Sequence, residues 1–171
     1  PILRPEILAA KRRNGEHLLV YTTGEGNDAF AQALRDTGLE CRIYGMRRGL
    51  TAEQVEGNLR FQPFSEDKFI DDLASCKAVI AGGGFTLMGE AVYLHKPMLA
   101  VPLARQFEQV LNARYLELEG FGRHAETLDD AKTIHEFIAA VPECEAKLAA
   151  YSQDGNKEIT RAIDEWLDKA A

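Results

Sequence analysis

Three consecutive glycines, Gly82, Gly83 and Gly84, separate an apolar run too short for a helix from a stretch with helical periodicity. The run, Ala78-Val79-Ile80-Ala81, is rich in β-branched and small residues and predicts a strand buried on both faces. From Phe85 to His95, apolar residues fall at 85, 87, 88, 91, 92 and 94, which is a helical spacing. Lys96-Pro97 stops that helix, and Met98-Leu99-Ala100-Val101 reads as a second buried strand. The result is one βαβ unit with a glycine loop at its switch.

Such a loop is suited to an anion. The first turn of a helix carries unpaired backbone N–H groups and the positive end of the helix dipole, and glycines let an anion approach both. Gly83 and Gly84 are therefore candidates to cradle a diphosphate, although a tight strand-to-helix turn would use the same glycines. Glu90, in the second turn of the helix, is expected on the rim where the loop opens, where a carboxylate can accept both hydroxyls of a ribose. Pro102 to Gln109 leaves the carboxyl end of the second strand, the edge at which open α/β sheets bind ligands. Glu108 and Gln109 are placed there to meet a sugar's hydroxyls.

Gly82-Gly83-Gly84-Phe85-Thr86, Glu90-Ala91, Lys96-Pro97, Val101-Pro102, Glu108-Gln109 and Asn112-Ala113 follow one another in a characteristic order and spacing. In this the chain resembles the donor-binding motif of inverting nucleotide-sugar glycosyltransferases of the GT-B fold. That group includes the peptidoglycan N-acetylglucosaminyltransferases and the UDP-glucuronosyl and UDP-glucosyl transferases, and the likeness is strongest to an uncharacterised prokaryotic branch. The resemblance implies a UDP-sugar donor bound by backbone amides, with neither metal nor cofactor, and it extends the donor site to Phe85 and Thr86. It also implies that an aromatic eighteen residues before the loop lies against the uracil ring. That position is Phe64, which could stack on a base while the backbone of Ser65 reads its edge. Plant-type members have a histidine where this chain has Gly82, so any side-chain contact from that position is lost. Glu108 stands where many relatives have Asp or Gln, which leaves the sugar open.

The remaining sequence supports a Rossmann-like, doubly wound parallel sheet with right-handed crossovers, the C-terminal half of a GT-B fold. Leu18–Tyr21, Cys41–Tyr44, Leu59–Phe61 and Gly122–His124 read as its other strands. Helices are expected after Asn27, from Ser65, from Phe107 to Glu119, and from a cap at Thr127–Asp130 through Ala140. The last helix repeats Ile159, Ala162, Ile163, Trp166 and Leu167 on one face and is expected to dock on the domain. Residues 1–16, with Pro1, Pro5 and the Lys11-Arg12-Arg13 patch, suit a linker from a missing N-terminal domain, leaving 17–171 as the donor-binding domain. The loop Thr22–Asn27 lacks the spacing of a dinucleotide fingerprint or a P-loop.

Charge and cysteine usage narrow the partners. A net charge of −7 over 171 residues argues against nucleic acid. Cys41, Cys76 and Cys144 are odd in number and widely spaced, as reduced thiols of a cytoplasmic protein would be, and Cys41 and Cys76 suit packing rather than chemistry. No apolar run approaches membrane-spanning length, so any membrane contact is expected through the missing half. None of His17, His95, His124 and His135 suits a general base. In the resembled enzymes the base and the acceptor belong to the N-terminal domain, so the isolated chain is expected to bind donor and transfer nothing. A free-standing subunit of a split glycosyltransferase, a UDP-sugar 2-epimerase half and a binding module without activity are the alternatives.

Overall fold

The structure, a computed structural model, describes residues 2–22, 28–128 and 130–170. Strands β1 (Leu18–Tyr21), β2 (Cys41–Tyr44), β3 (Gln54–Glu56), β4 (Leu59–Phe61), β5 (Ala78–Ala81), β6 (Met98–Ala100) and β7 (Gly122–His124) form one sheet. Its order is β3-β4-β2-β1-β5-β6-β7. β3 pairs antiparallel with β4, and the other pairs are parallel. All four residues of β5 are buried, as expected of a strand covered on both faces. The edge strand β3 carries no such signal. Its three residues are exposed, so nothing in their apolar pattern marks them as a strand.

Helices cover both faces. They are α1 (Pro5–Ala9), α2 (Asp28–Asp36), α3 (Glu66–Ser75), α4 (Phe85–Tyr93), α5 (Phe107–Leu118), α6 (Ala131–Ala150) and α7 (Lys157–Ala170). Alternation along β1 divides the core: Leu19 packs with Phe69, Leu73, Met88, Ala91 and Leu116 from α3, α4 and α5, whereas Leu18 and Val20 pack with Leu34, Phe137 and Val141 from α2 and α6.

Three expectations are corrected. α6 does not end near Ala140 but runs through Pro142 to Ala150. A proline inside a helix costs about 3 kcal/mol. Ile134, Phe137, Val141, Cys144 and Leu148 are buried along one stripe, and at about 1.5–3 kcal/mol for a fully buried aliphatic or aromatic side chain that burial outweighs the proline. Second, residues 2–16 contribute to the core: Leu3 and Ile7 are buried, α1 starts with Pro5 in its first turn, and Lys96 Nζ donates to the carbonyl oxygens of Arg13 and Cys76 at 2.6 and 2.9 Å. Third, the apolar face of α7 is not docked. Ile159, Ile163, Trp166 and Leu167 are all exposed.

One polar knot lies inside the α3 side of the sheet. The buried carboxylate of Asp72 accepts from Tyr44 Oη and Arg42, each at 2.5 Å, and from Lys68 Nζ at 3.0 Å. Burial pushes this carboxyl up, but the hydrogen bonds from Tyr44, Lys68 and Arg42 outweigh it and hold it below its ordinary range. The backbone carbonyl of Asp72 meets His17 Nε2 at 3.0 Å.

Candidate functional site

Chain direction brings the carboxyl ends of β1, β2, β4, β5 and β6 to one edge. From β1 the chain proceeds outward to β2 and β4, then returns to β5 on the other side of β1. The β1/β5 boundary is therefore the topological switch point, where open α/β sheets form a crevice. The glycine loop after β5 borders it. Of the loop after β1, residues 23–27 lie outside the described residues.

The three glycines have different tasks. A Cβ on Gly83 would stand 3.0 Å from the Gln109 Cα and closer still to its carbonyl oxygen, so Gly83 is needed for the start of α5 to pack on the loop. Its own carbonyl accepts from Asn112 Nδ2 at 3.0 Å. A Cβ on Gly82 would lie 3.2 Å from Gln109 Oε1. Gly84 differs: a Cβ there would meet nothing among the described residues within 4 Å. It is the N-cap of α4, and among the described residues Phe85 and Thr86 of the first turn are exposed.

Glu90 is not on the rim. It is 1% exposed, and Arg4 grips both carboxylate oxygens, Nε to Oε1 at 2.7 Å and Nη2 to Oε2 at 3.0 Å. The rim expectation fails because residues 3–9 lie against α4, with Leu3 and Ile7 in the same cluster as Met88, Ala91 and Leu94. Arg4 also donates to Glu66 Oε1 at 2.5 Å, so one guanidinium joins α4 to the first turn of α3. The hydrogen bonds that Arg4 donates to Glu90 are the main reason that the guanidinium is held above its ordinary value. Sequence reasoning assigned Arg4 to a linker. The usable signal was Pro5 at a first helical position followed by Glu6.

Phe64 is 79% exposed at the carboxyl end of β4, and Ser65 is the N-cap of α3. Phe64 lines a cavity of about 450 Å³ together with Tyr21, Arg48, Gln62 and Pro63. Gln62 had no role in the sequence reading. Its Nε2 donates to Glu53 at 2.5 Å, while its buried Oε1 has no hydrogen-bond partner among the described residues. A buried acceptor left unmatched costs free energy. Arg48 is exposed at the same cavity. Arg47 lines the cavity too, but its guanidinium stacks 3.6 Å over Phe61 and pairs with Glu56 at 2.6 Å.

Of the two expected sugar contacts, Glu108 is exposed in the first turn of α5. Gln109 is partly spent on the fold, because its Oε1 accepts from Leu103 N at 3.0 Å. Its amide NH2 is the end that could meet a hydroxyl.

The other titratable groups stand apart. His17 precedes β1, at the opposite edge of the sheet, and burial pushes its imidazole down. The thiols of Cys41 and Cys76 are buried and pushed up to about 11 and about 12, as packing residues should be. Among the described residues, no three His, Cys, Asp or Glu side chains are grouped to hold a metal, and no helix is long and apolar enough to cross a membrane.

Comparison with known proteins identifies the family and the fold. Residues 1–142 match the family described as glycosyl transferase family 1. The chain is 34% identical over 125 residues to an uncharacterized glycosyltransferase of Methanosarcina acetivorans, covering 68% of this chain and 33% of that protein. It is 32% identical over 117 residues to a UDP-N-acetylglucosamine–N-acetylmuramyl-(pentapeptide) pyrophosphoryl-undecaprenol N-acetylglucosamine transferase of Bacillus thuringiensis, covering 66% of this chain and 32% of that one. The chain thus spans about a third of the length of these curated relatives. Among solved structures, the calicheamicin glycosyltransferase CalG4 superposes with a TM-score of 0.64 at 15% identity, over 100% of this chain and 47% of that one. The spinosyn rhamnosyltransferase SpnG complexed with thymidine diphosphate gives 0.58 at 22% identity, over 91% and 46%.

Proposed function

The chain belongs to glycosyl transferase family 1 and has the fold of one half of a GT-B glycosyltransferase, and on that premise we propose that it is the donor-binding domain of an inverting enzyme that uses a UDP-sugar. The observation that carries this reading is the open N-terminus of α4 at Gly84, placed at the switch point. Backbone amides there receive the diphosphate without a metal. Phe64 offers a ring to the base, with Ser65 beside it. Glu90 accepts the ribose hydroxyls, and Glu108 and the Gln109 amide contact the sugar. The thymidine diphosphate in the SpnG complex supports a nucleoside diphosphate in a related fold.

In the transfer itself an acceptor hydroxyl attacks C1 of the sugar, the bond from C1 to the β-phosphate oxygen breaks, UDP leaves, and a base takes the hydroxyl proton. The described residues offer no suitable base at this edge of the sheet. Acceptor and base then come from another domain or subunit, in keeping with a chain that spans 46–47% of these solved neighbours. Base and acceptor must both be held in line for the barrier to fall. Calorimetry with UDP, UDP-glucose, UDP-N-acetylglucosamine and NAD tests the reading: binding of the uridine nucleotides and not of NAD is expected, and binding of NAD alone contradicts it.

A further inference from the structure

We propose that the cavity at the C-terminal end of α4, where Arg12 and His95 meet, is a second ligand site, one that takes the dianionic phosphate group of a small phosphate monoester. It lies at the opposite end of α4 from Gly84, apart from the proposed donor site. Its volume is about 350 Å³, and its walls include Arg12, Tyr93, His95, Tyr151 and Ser152. Small-molecule pockets commonly enclose about 300–1,000 Å³, so there is room for a phosphate and for the organic group it esterifies.

The charges in this cavity are uncompensated. The basic patch Lys11-Arg12-Arg13 is divided by the fold: Arg13 pairs with Asp71, and its carbonyl oxygen accepts from the buried Lys96 Nζ at 2.6 Å. Arg12 has no carboxylate partner among the described residues. It is the charged group that acts on His95, and after burial it is the next cause that holds the imidazole below its ordinary value. Among the described residues that line the cavity there is no Asp or Glu. The carboxylate that acts on this basic group is Glu145, and it acts on Lys96. Two cation-forming groups thus share a concavity, and an anion between them relieves their repulsion. The Arg12 fork matches phosphate oxygens, the hydroxyls of Tyr93 and Ser152 supply further donors, and the half-buried rings of Tyr93 and Tyr151 give the organic part of the ester an apolar wall.

The backbone holds both groups in place. Next to Arg12, Arg13 N donates to the Ala74 carbonyl oxygen at 2.9 Å. His95 closes α4 in the left-handed region at φ 53°. Its N–H donates to Val92 O at 3.0 Å, and Lys96 N–H donates to Ala91 O at 2.8 Å, a pair of bonds that places His95 where helices usually put glycine. With Leu94 N–H on Glu90 O, these bonds occupy carbonyls of the last turn, so the negative end of the helix dipole is blunted where the anion would sit.

The test is titration of the 171-residue chain with glucose 6-phosphate, inorganic phosphate and glucose at a single pH, followed by the imidazole NMR signals, for the parent, Arg12→Ala, His95→Asn and Lys11→Ala. Asn tolerates the left-handed backbone at 95, so that variant keeps the end of α4, and Lys11→Ala removes a neighbouring charge that does not line the cavity. The expected result is saturable binding of glucose 6-phosphate that moves the His95 signal toward its protonated position, weaker binding of inorganic phosphate and none of glucose. Affinity for the ester should fall roughly 10-fold or more in Arg12→Ala and in His95→Asn and stay unchanged in Lys11→Ala. UDP should not displace the ester. The proposal is overturned by the absence of a saturable His95 shift, by glucose binding as well as its phosphate, by inorganic phosphate binding without the ester, by an equal loss in Lys11→Ala, or by competition from UDP.

Discussion

Asn112 on α5 donates its side-chain amide to the carbonyl oxygen of Gly83 at 3.0 Å, so the second helix of the motif is pinned to the loop that opens the first. Gln109, one turn earlier on α5, packs its backbone where a Gly83 side chain would stand. Gly83→Ala must push α5 away from the loop. Overpacking of this kind typically costs about 1–3 kcal/mol, and a lowered midpoint in denaturant unfolding is the expected outcome.

Gly84→Ala separates fold from function at the neighbouring residue. Gly84 has φ −65°, which any L-residue adopts, and among the described residues nothing stands within 4 Å of where the Cβ would go. Stability should be within a few tenths of a kcal/mol of the parent, while UDP affinity falls because the methyl group occupies the approach to the α4 amides. Equal UDP affinity in parent and variant would place the diphosphate elsewhere.

Phe64→Ala removes an exposed ring that contributes little to the core at 79% exposure. Base stacking is worth about 1–3 kcal/mol per base, so UDP binding should weaken by roughly 10- to 100-fold with the melting temperature unchanged. Ribose 5-phosphate, which has no base, should bind both forms equally. Parallel losses for the two ligands would argue against stacking.

The centre of the parallel sheet could be read from the sequence because β1, β5 and β6 are continuous apolar runs, whereas β2 and β4 alternate apolar residues with arginine. The βαβ unit around Gly82–Gly84 is the clearest case. What could not be read depends on contacts between distant segments. Glu90 and Arg4 are 86 residues apart, and no local pattern shows that an arginine among prolines will cover a helix carboxylate. β3 escaped because an exposed edge strand needs no apolar alternation. The continuation of α6 through Pro142 depends on a core that outweighs a local penalty. The regular apolar stripe of α7 correctly marked a helix, but a stripe does not state what covers it.

Two buried groups set the acid side of the stability curve in separate windows. His17 has its folded-state value lowered, first by burial, so the unfolded chain binds its proton more readily and stability declines as pH falls below about 6.5. Asp72 is also depressed in the folded state, so its contribution is complete above the unfolded value of about 3.9 and is lost as pH falls through the lower folded one. Unfolding measured from pH 7 to pH 3 should show the first decline flattened in His17→Gln and the second in Asp72→Asn. A parent curve that is level across both windows would contradict these assignments.

The central claim is that the glycine loop, α4 and Phe64 make one donor site. Crystals of the chain soaked with UDP test it most directly. The account predicts the diphosphate at the amides following Gly84, the uracil against Phe64, and the ribose hydroxyls on Glu90. UDP bound away from the N-terminus of α4, or with its base remote from Phe64, would contradict the claim.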